Sequence, residues 1–342
     1  MSGLTIVNSS DSVDRISRLD FPFKIKPDLS IYCTDSSPGA ATDSSKAEIF
    51  IEFKWNSIDD PFGEIRYVEC PKGGAPLKSF LHDTKTGTDT LGQITAYAAA
   101  QLGSQFRTHI YSILIVKDTA RIIRWDRSGA IVTEAIKYNE SPLLTEFFRR
   151  YSKAPPDMRG KDQSVSCPTF TEAVAARQAL KIDDTEPLVK LSIPGIDGSL
   201  LYYVASAPRA TFYTPPGRAT RGFPSYDPRF SRVVFLKNSW RVDLRDIWEE
   251  GKIYARLAEA NVRNIPNCVA SGNISTDKYH AMKTCNYTAK SWACHSHSDA
   301  HFIPHRHYRL ALDIIGRSLI TFKSSYEMVA AVRDAMIGEF PQ

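Results

Sequence analysis

Residues 233–254, VVFLKNSWRVDLRDIWEEGKIY, narrow the choices for this chain more than any other stretch. An apolar run of Val233, Val234, Phe235 and Leu236 ends on Lys237. A charged loop follows, and then a helical pattern in which Ile247, Ile253, Tyr254 and Leu257 can share a face. Glu250 falls on that expected helix. The unit is therefore a strand closed by a lysine and a helix carrying a glutamate. Such a pair can be an ordinary surface ion pair. It can also press a lysine against the phosphates of a nucleotide, with the glutamate fixing the lysine. The surrounding chain has to decide between these.

With 342 residues there is room for two domains, each able to bury a core. Hydrophobic residues at 42% and charged residues at 24% are those of a soluble globular protein. The net charge of +5 permits contact with phosphates without demanding it. Cys33, Cys70, Cys167, Cys268, Cys285 and Cys294 form no CxxC pair, which reads as reduced intracellular thiols. The N-terminal segment has neither the basic flank nor the apolar core of a signal peptide, and no window has the apolar length of a membrane span. An intracellular protein, cytoplasmic or nuclear, with no membrane partner is expected. The triplets beginning at Asn8 and Asn286 then carry no weight as glycosylation sites.

The first half reads as an α/β domain over residues 1–151. Residues 25–33 suit a strand introduced by Pro27-Asp28, and 34–46 a Ser/Pro/Gly-rich loop. Residues 48–55 suit a second strand whose alternation puts Glu52 and Lys54 on one face. Residues 56–88 look like an insertion or mobile loop, and 90–102 an alanine-rich helix with Gln93 and Tyr97 one turn apart. Strands over 109–116, 120–125 and 130–135 follow, and then a helix to Tyr151 with Ser141 as N-cap and Pro142 as its first residue.

Asp28, then Glu52-x-Lys54, then Gln93 resembles the PD-(D/E)XK nuclease-like superfamily over about residues 20–136. Two carboxylates on neighbouring strands can hold Mg²⁺ beside a phosphate, and the lysine can orient a water or stabilise developing charge. The plainer alternative makes Asp28 a strand-end cap and Glu52–Lys54 a solvated pair. A basic, aromatic-interleaved surface for nucleic acid is not evident in the sequence, so nucleic acid is disfavoured as a partner.

Residues 152–168 are polar with three prolines and read as a linker to a second domain, 169–342. A short helix over 169–179 precedes strands over 188–193 and 199–205, joined by a turn at 194–198. Gly217-Arg218-Ala219-Thr220-Arg221-Gly222 has the G-x-G-x-x-G spacing with alanine in the middle, and Phe223-Pro224 excludes a Walker A loop. Alone it is equally a hairpin tip. In order, however, the chain runs glycine loop, strand lysine, helix glutamate. LKNSWR, EEGKIYARL, IPNCVASGN and HYRLALDIIGRSL together resemble the fungal-type protein kinase domain over about residues 160–340.

That resemblance implies a kinase small lobe, an antiparallel sheet plus one helix, followed by a hinge and the first large-lobe helices. It implies that Gly217 to Gly222, including Arg218, Ala219 and Thr220, cover the phosphates. Lys237 would bind them and Glu250, in preference to Glu249, would hold the lysine. The strand through Arg309 and Leu312 would lead to a hinge at 313–316, with Asp313 and Ile315 beside adenine. ATP and Mg²⁺ are the implied cofactors, and the family activity is phosphoryl transfer to protein Ser/Thr. Yet no His-Arg-Asp and no Asp-Phe-Gly occurs, and the sequence closes on a helix over 326–339. The chain as it stands is expected not to phosphorylate, for want of a base and of carboxylates for Mg²⁺. Two other readings stay open: a Mg²⁺-dependent nuclease using Asp28, Glu52 and Lys54, and a non-catalytic interaction module.

His295, His297, His301, His305 and His307 crowd together near Cys285 and Cys294, a density able to capture Zn²⁺. Their spacing fits no closed Cys/His pattern, and a solvated loop is expected there.

Overall fold

The structure is a computed structural model describing residues 3–14, 24–37, 41–69, 76–195, 198–208, 214–274, 282–294 and 302–339. Its backbone gathers into two units: Met1–Gln163 with Pro208–Ala219 and Ala281–His305, and Ser164–Ala207 with Thr220–His280 and Arg306–Gln342. The second therefore takes up at Ser164, inside the segment read as a linker.

In the first unit, β1 (Leu4–Asn8), β2 (Leu29–Cys33) and β3 (Ala47–Lys54) are antiparallel neighbours. A small hairpin of β4 (Phe62–Val68) and β5 (Leu77–Leu81) follows, then helix α1 (Lys85–Ser104). These return the chain to β6 (His109–Val116), which runs parallel to β3. Strands β7 (Thr119–Asp126), β8 (Gly129–Val132) and β9 (Ile136–Lys137) complete the sheet, and helix α2 (Leu143–Lys153) closes the run. Alternation sorts the core. Phe50 packs with Tyr97, Ala99 and Ala100 of α1, whereas Ile49, Ile51 and Ile113 pack with Phe147 and Tyr151 of α2. The unit is thus a mixed sheet with a helix on each face.

One break in that alternation has large consequences. Ile31 opposes Ile49 but Tyr32 opposes Ala47, so Glu48 is the extra residue of a β-bulge. The bulge turns Glu48 towards α2, where it is 1% exposed. Its Oε2 accepts from the Tyr151 hydroxyl at 2.8 Å, and its Oε1 lies 3.1 Å from Arg107 and 2.9 Å from Lys161. Burial alone would raise the Glu48 pKa. The charges of Arg107 and Lys161, with the Lys161 and Tyr151 hydrogen bonds, outweigh it and hold the group at about 2.

Two local expectations need correction. Among the described residues of 56–88, Phe62–Val68 and Leu77–Leu81 pair as strands: Phe62 is buried and stacks on Phe80, while Arg121 grips Asp60 at 2.9 Å and the Phe62 carbonyl. Helix α1 begins at Lys85, ahead of the expected start, because the Thr84 hydroxyl accepts from Gly87 N–H and caps it. Helix α2 begins at Leu143, after Pro142 at ψ 1°, while the Ser141 hydroxyl accepts from Leu143 N–H at 3.4 Å, as expected of a cap.

The second unit holds a seven-stranded sheet in the order β10 (Val165–Ser166), β11 (Leu188–Pro194), β12 (Leu200–Ser206), β13 (Arg221–Asp227), β14 (Arg232–Val242), β16 (His305–Leu312), β15 (Cys268–Asn273). Helix α3 (Phe170–Leu180) starts with a Thr169–Glu172 capping box and seats Ala176 against Val204 and Tyr226. Helix α4 (Glu250–Glu259) packs Tyr254 on the cluster of Tyr308, Leu310 and Leu312. Helix α5 is Ser325–Glu339. Instead of one helix on a small antiparallel sheet, two helices cover it. Among the described residues, no helix is long and apolar enough to cross a membrane.

Two more corrections fall here. Strand β14 does not end on Lys237 but runs on to Val242, because Asn238, Ser239 and Trp240 are buried and keep the ladder going. Helix α4 starts at Glu250, so Ile247 lies in the turn before it, its N–H donating to the Leu244 carbonyl.

Candidate nucleotide-binding site

Alternation along β14 sends Leu236, Asn238 and Trp240 inward and leaves Phe235 and Lys237 partly exposed. Phe235 packs at the edge of the cluster that also receives Tyr254 of α4. Lys237 Nζ reaches both carboxylate oxygens of Glu250, at 2.9 and 2.7 Å, with about a quarter of each side chain exposed. Glu249 goes elsewhere, accepting from Asn273 Nδ2 at 2.9 Å and Arg241 Nη2 at 3.3 Å. Gly222 lies across the ladder from Lys237. A Cβ there would come within 2.3 Å of the Phe235 ring, so only glycine leaves that aromatic room beside the lysine.

The rest of the expected phosphate loop divides. Gly217, Arg218 and Ala219 group with the first unit, and Thr220 to Gly222 with the second. Gly217 N–H donates to the Arg127 carbonyl at 2.9 Å, and Ala219 adopts φ +42°. At the expected hinge, the Asp313 carboxylate accepts from both the backbone and side-chain N–H of Asn267 at 2.8 Å. Ile315 is exposed.

The acidic set of the first unit also assembles. Lys54 Nζ sits between Glu52 Oε1 at 2.7 Å and Gln93 Oε1 at 2.8 Å. Gln93 Nε2 donates to the Tyr97 hydroxyl, which donates to the Lys26 carbonyl. Asp28 accepts from Phe53 N–H at 2.8 Å. Glu52 Oε2 is buried and makes no hydrogen bond, though the Tyr97 hydroxyl lies near its carboxylate. Burial raises the Glu52 pKa against the opposing pull of Lys54, and the Asp28 charge adds to the rise. The buried Glu52 carboxylate and the Asp28 carboxylate are the residues of this set that could hold a divalent cation.

Of the histidine cluster, His305 and His307 fall within the described residues. His295, His297 and His301 lie outside the described residues. His305 and His307 are buried in β16, and His307 accepts no metal-like set: its Nε2 is 2.7 Å from Asn238 Oδ1 and its ring stacks on Trp240 at 4.5 Å. Among the described residues no group of three His, Cys, Asp or Glu side chains could hold a metal ion.

A family model described as fungal protein kinase matches residues 77–340. The chain belongs to the fungal protein kinase family. No curated protein and no solved structure matches it. Within this fungal protein kinase chain the matched stretch holds the whole 217–222 segment, Lys237, Glu250, Asp313 and Ile315. It begins well upstream of residue 160, taking in α1 and β6 to β9, so Gln93 lies inside it while Asp28, Glu52 and Lys54 lie outside. Sequence reasoning missed the Asn273 and Tyr308 side chains around the start of α4; the glycine directly after the Glu249-Glu250 pair was the only available signal.

Proposed function

We propose that the second unit of this fungal protein kinase chain binds the phosphates of ATP through Lys237, with Glu250 holding the ammonium in place. The observation that carries the reading is the contact of Lys237 Nζ with both Glu250 oxygens. ATP brings the transferable phosphoryl group and Mg²⁺ would neutralise its phosphates. The 217–222 segment would lie over them, and residues 313–316 would border the adenine. We further propose that this chain does not transfer phosphate, since its sequence contains neither His-Arg-Asp nor Asp-Phe-Gly.

Titration with a fluorescent ATP analogue tests binding. Lys237→Ala removes a charged hydrogen-bond donor and should weaken affinity by about 10–100-fold. Equal affinity for the two proteins would sink the reading. Robust, Lys237-dependent phosphate incorporation into a protein substrate would overturn the inactivity.

A second reading rests on the buried Glu52 carboxylate beside Asp28: a divalent-cation site of the nuclease-like type, with Lys54 aimed by Gln93. Mg²⁺ or Mn²⁺ should then raise the melting temperature of the full chain, and Asp28→Ala should remove that rise along with any metal-dependent cleavage of DNA or RNA. A melting temperature indifferent to both ions would exclude it.

A further inference from the structure

Helix α4 is gripped on both sides of Glu250 by one cross-strand pair. Asn273 of β15 and Tyr308 of β16 oppose each other in the ladder. Asn273 Nδ2 donates to Glu249, directly before Glu250. The Tyr308 hydroxyl accepts from the N–H of Gly251, directly after it, at 2.8 Å, from a side chain 2% exposed. Arg241 adds a second hold on Glu249. The approach at residue 251 is close: a Cβ there would lie 1.9 Å from Ser271 Oγ, 2.6 Å from Ser271 Cβ and 2.7 Å from the Tyr308 hydroxyl. Only glycine lets the first turn settle onto the sheet.

We infer that Gly251 and Tyr308 are positioning residues that fix the first turn of α4, so that Glu250 stays on Lys237 without nucleotide present. The inference concerns the ion pair reached above and rests on the nucleotide-binding reading only for its functional meaning. A methyl group at 251 must push the turn off the sheet, because Ser271 Cβ belongs to a strand and cannot swing aside as a long side chain would. Residue 250 moves with it. The pair then loses its geometry while the sheet beneath remains.

The experiment measures acylation of Lys237 in the full chain by a small amine-reactive reagent, read by mass spectrometry, together with affinity for a fluorescent ATP analogue. Gly251→Ala should speed Lys237 labelling by about tenfold, the loss of one charged hydrogen bond. It should weaken ATP affinity in parallel. Ser271→Gly removes both Ser271 atoms that crowd the new methyl but leaves the Tyr308 hydroxyl 2.7 Å from it, so Gly251→Ala/Ser271→Gly should return labelling part of the way to the wild-type rate. A general loss of stability would not be repaired by a second glycine in a strand. Tyr308→Phe should also raise labelling, to a smaller extent, and it decides the matter if Gly251→Ala does not fold. Wild-type labelling rates in folded Gly251→Ala, or in Tyr308→Phe, would overturn the inference. Failure of ATP to bind the wild-type chain would remove the nucleotide reading while leaving the labelling result intact.

Discussion

Glu48→Ala is expected to destabilise the first unit by about 3–5 kcal/mol, the usual consequence of deleting one partner from a buried ionic cluster. The reason lies in what remains. Arg107 is fully buried, and Lys161, Arg159 and the Tyr151 hydroxyl all converge on the same carboxylate. Removing it leaves a buried guanidinium without its counter-charge and takes the nearer acceptor from the Tyr151 hydroxyl, which keeps only the Glu48 backbone carbonyl at 3.3 Å. Glu48→Gln keeps the shape but drops the charge, and it should fall between wild type and alanine. Urea titration followed by tryptophan fluorescence measures both. The same group sets an acid limit. Its folded pKa lies below the ordinary value of 4.5, at about 2. The contribution is therefore complete above pH 4.5 and disappears as pH falls towards 2, a loss of about 3 kcal/mol by linkage. An acid-unfolding profile unchanged by Glu48→Gln would show that the cluster does not govern this range.

Arg309→Ala should produce a comparable loss in the second unit, about 3–5 kcal/mol from unmet acceptors and cavity together. Arg309 is 0% exposed. Its Nε donates to Asn238 Oδ1 of β14 and its Nη1 to the Ser192 carbonyl of β11, each at 2.8 Å. It thereby ties three strands, with β11 also brought against β15 where Pro194 meets Gly272. Asn238 keeps His307 as a second partner, whereas the Ser192 carbonyl would lose its guanidinium donor. Arg309→Met fills most of the volume and should recover part of the loss, which separates packing from hydrogen bonding. Equal midpoints for alanine and wild type in urea would refute the tie.

These two arginine–carboxylate and arginine–carbonyl centres were invisible in the sequence, and the reasons differ. Glu48 stands in an alternating strand where its parity groups it with Phe50 and Glu52; only the bulge sends it to the opposite face. A bulge depends on how two strands pair, which a single strand's pattern does not encode. Arg309 was read as one residue of a strand leading to a hinge, because a lone arginine in an apolar run gives no hint of acceptors on two distant strands. Lys237 and Glu250 were legible for the opposite reason: one strand and the next helix supply both. Glu52, Lys54 and Gln93 were likewise foreseeable from alternation and one helical turn. The hairpin at 62–81 was hidden by its charged, glycine-rich composition, since its anchoring relies on Phe62, Phe80 and a distant Arg121.

The placement of Glu48 has a temporal side. The carboxylate leaves the ribosome long before Tyr151, Arg159 and Lys161 are made, and Arg107 also comes later. Until residues 151–161 emerge, the nascent sheet has a charged group at its bulge and too few counter-charges to bury it. The first sheet cannot mature progressively from its amino terminus; residues 107–161 license the closing of strands made before them.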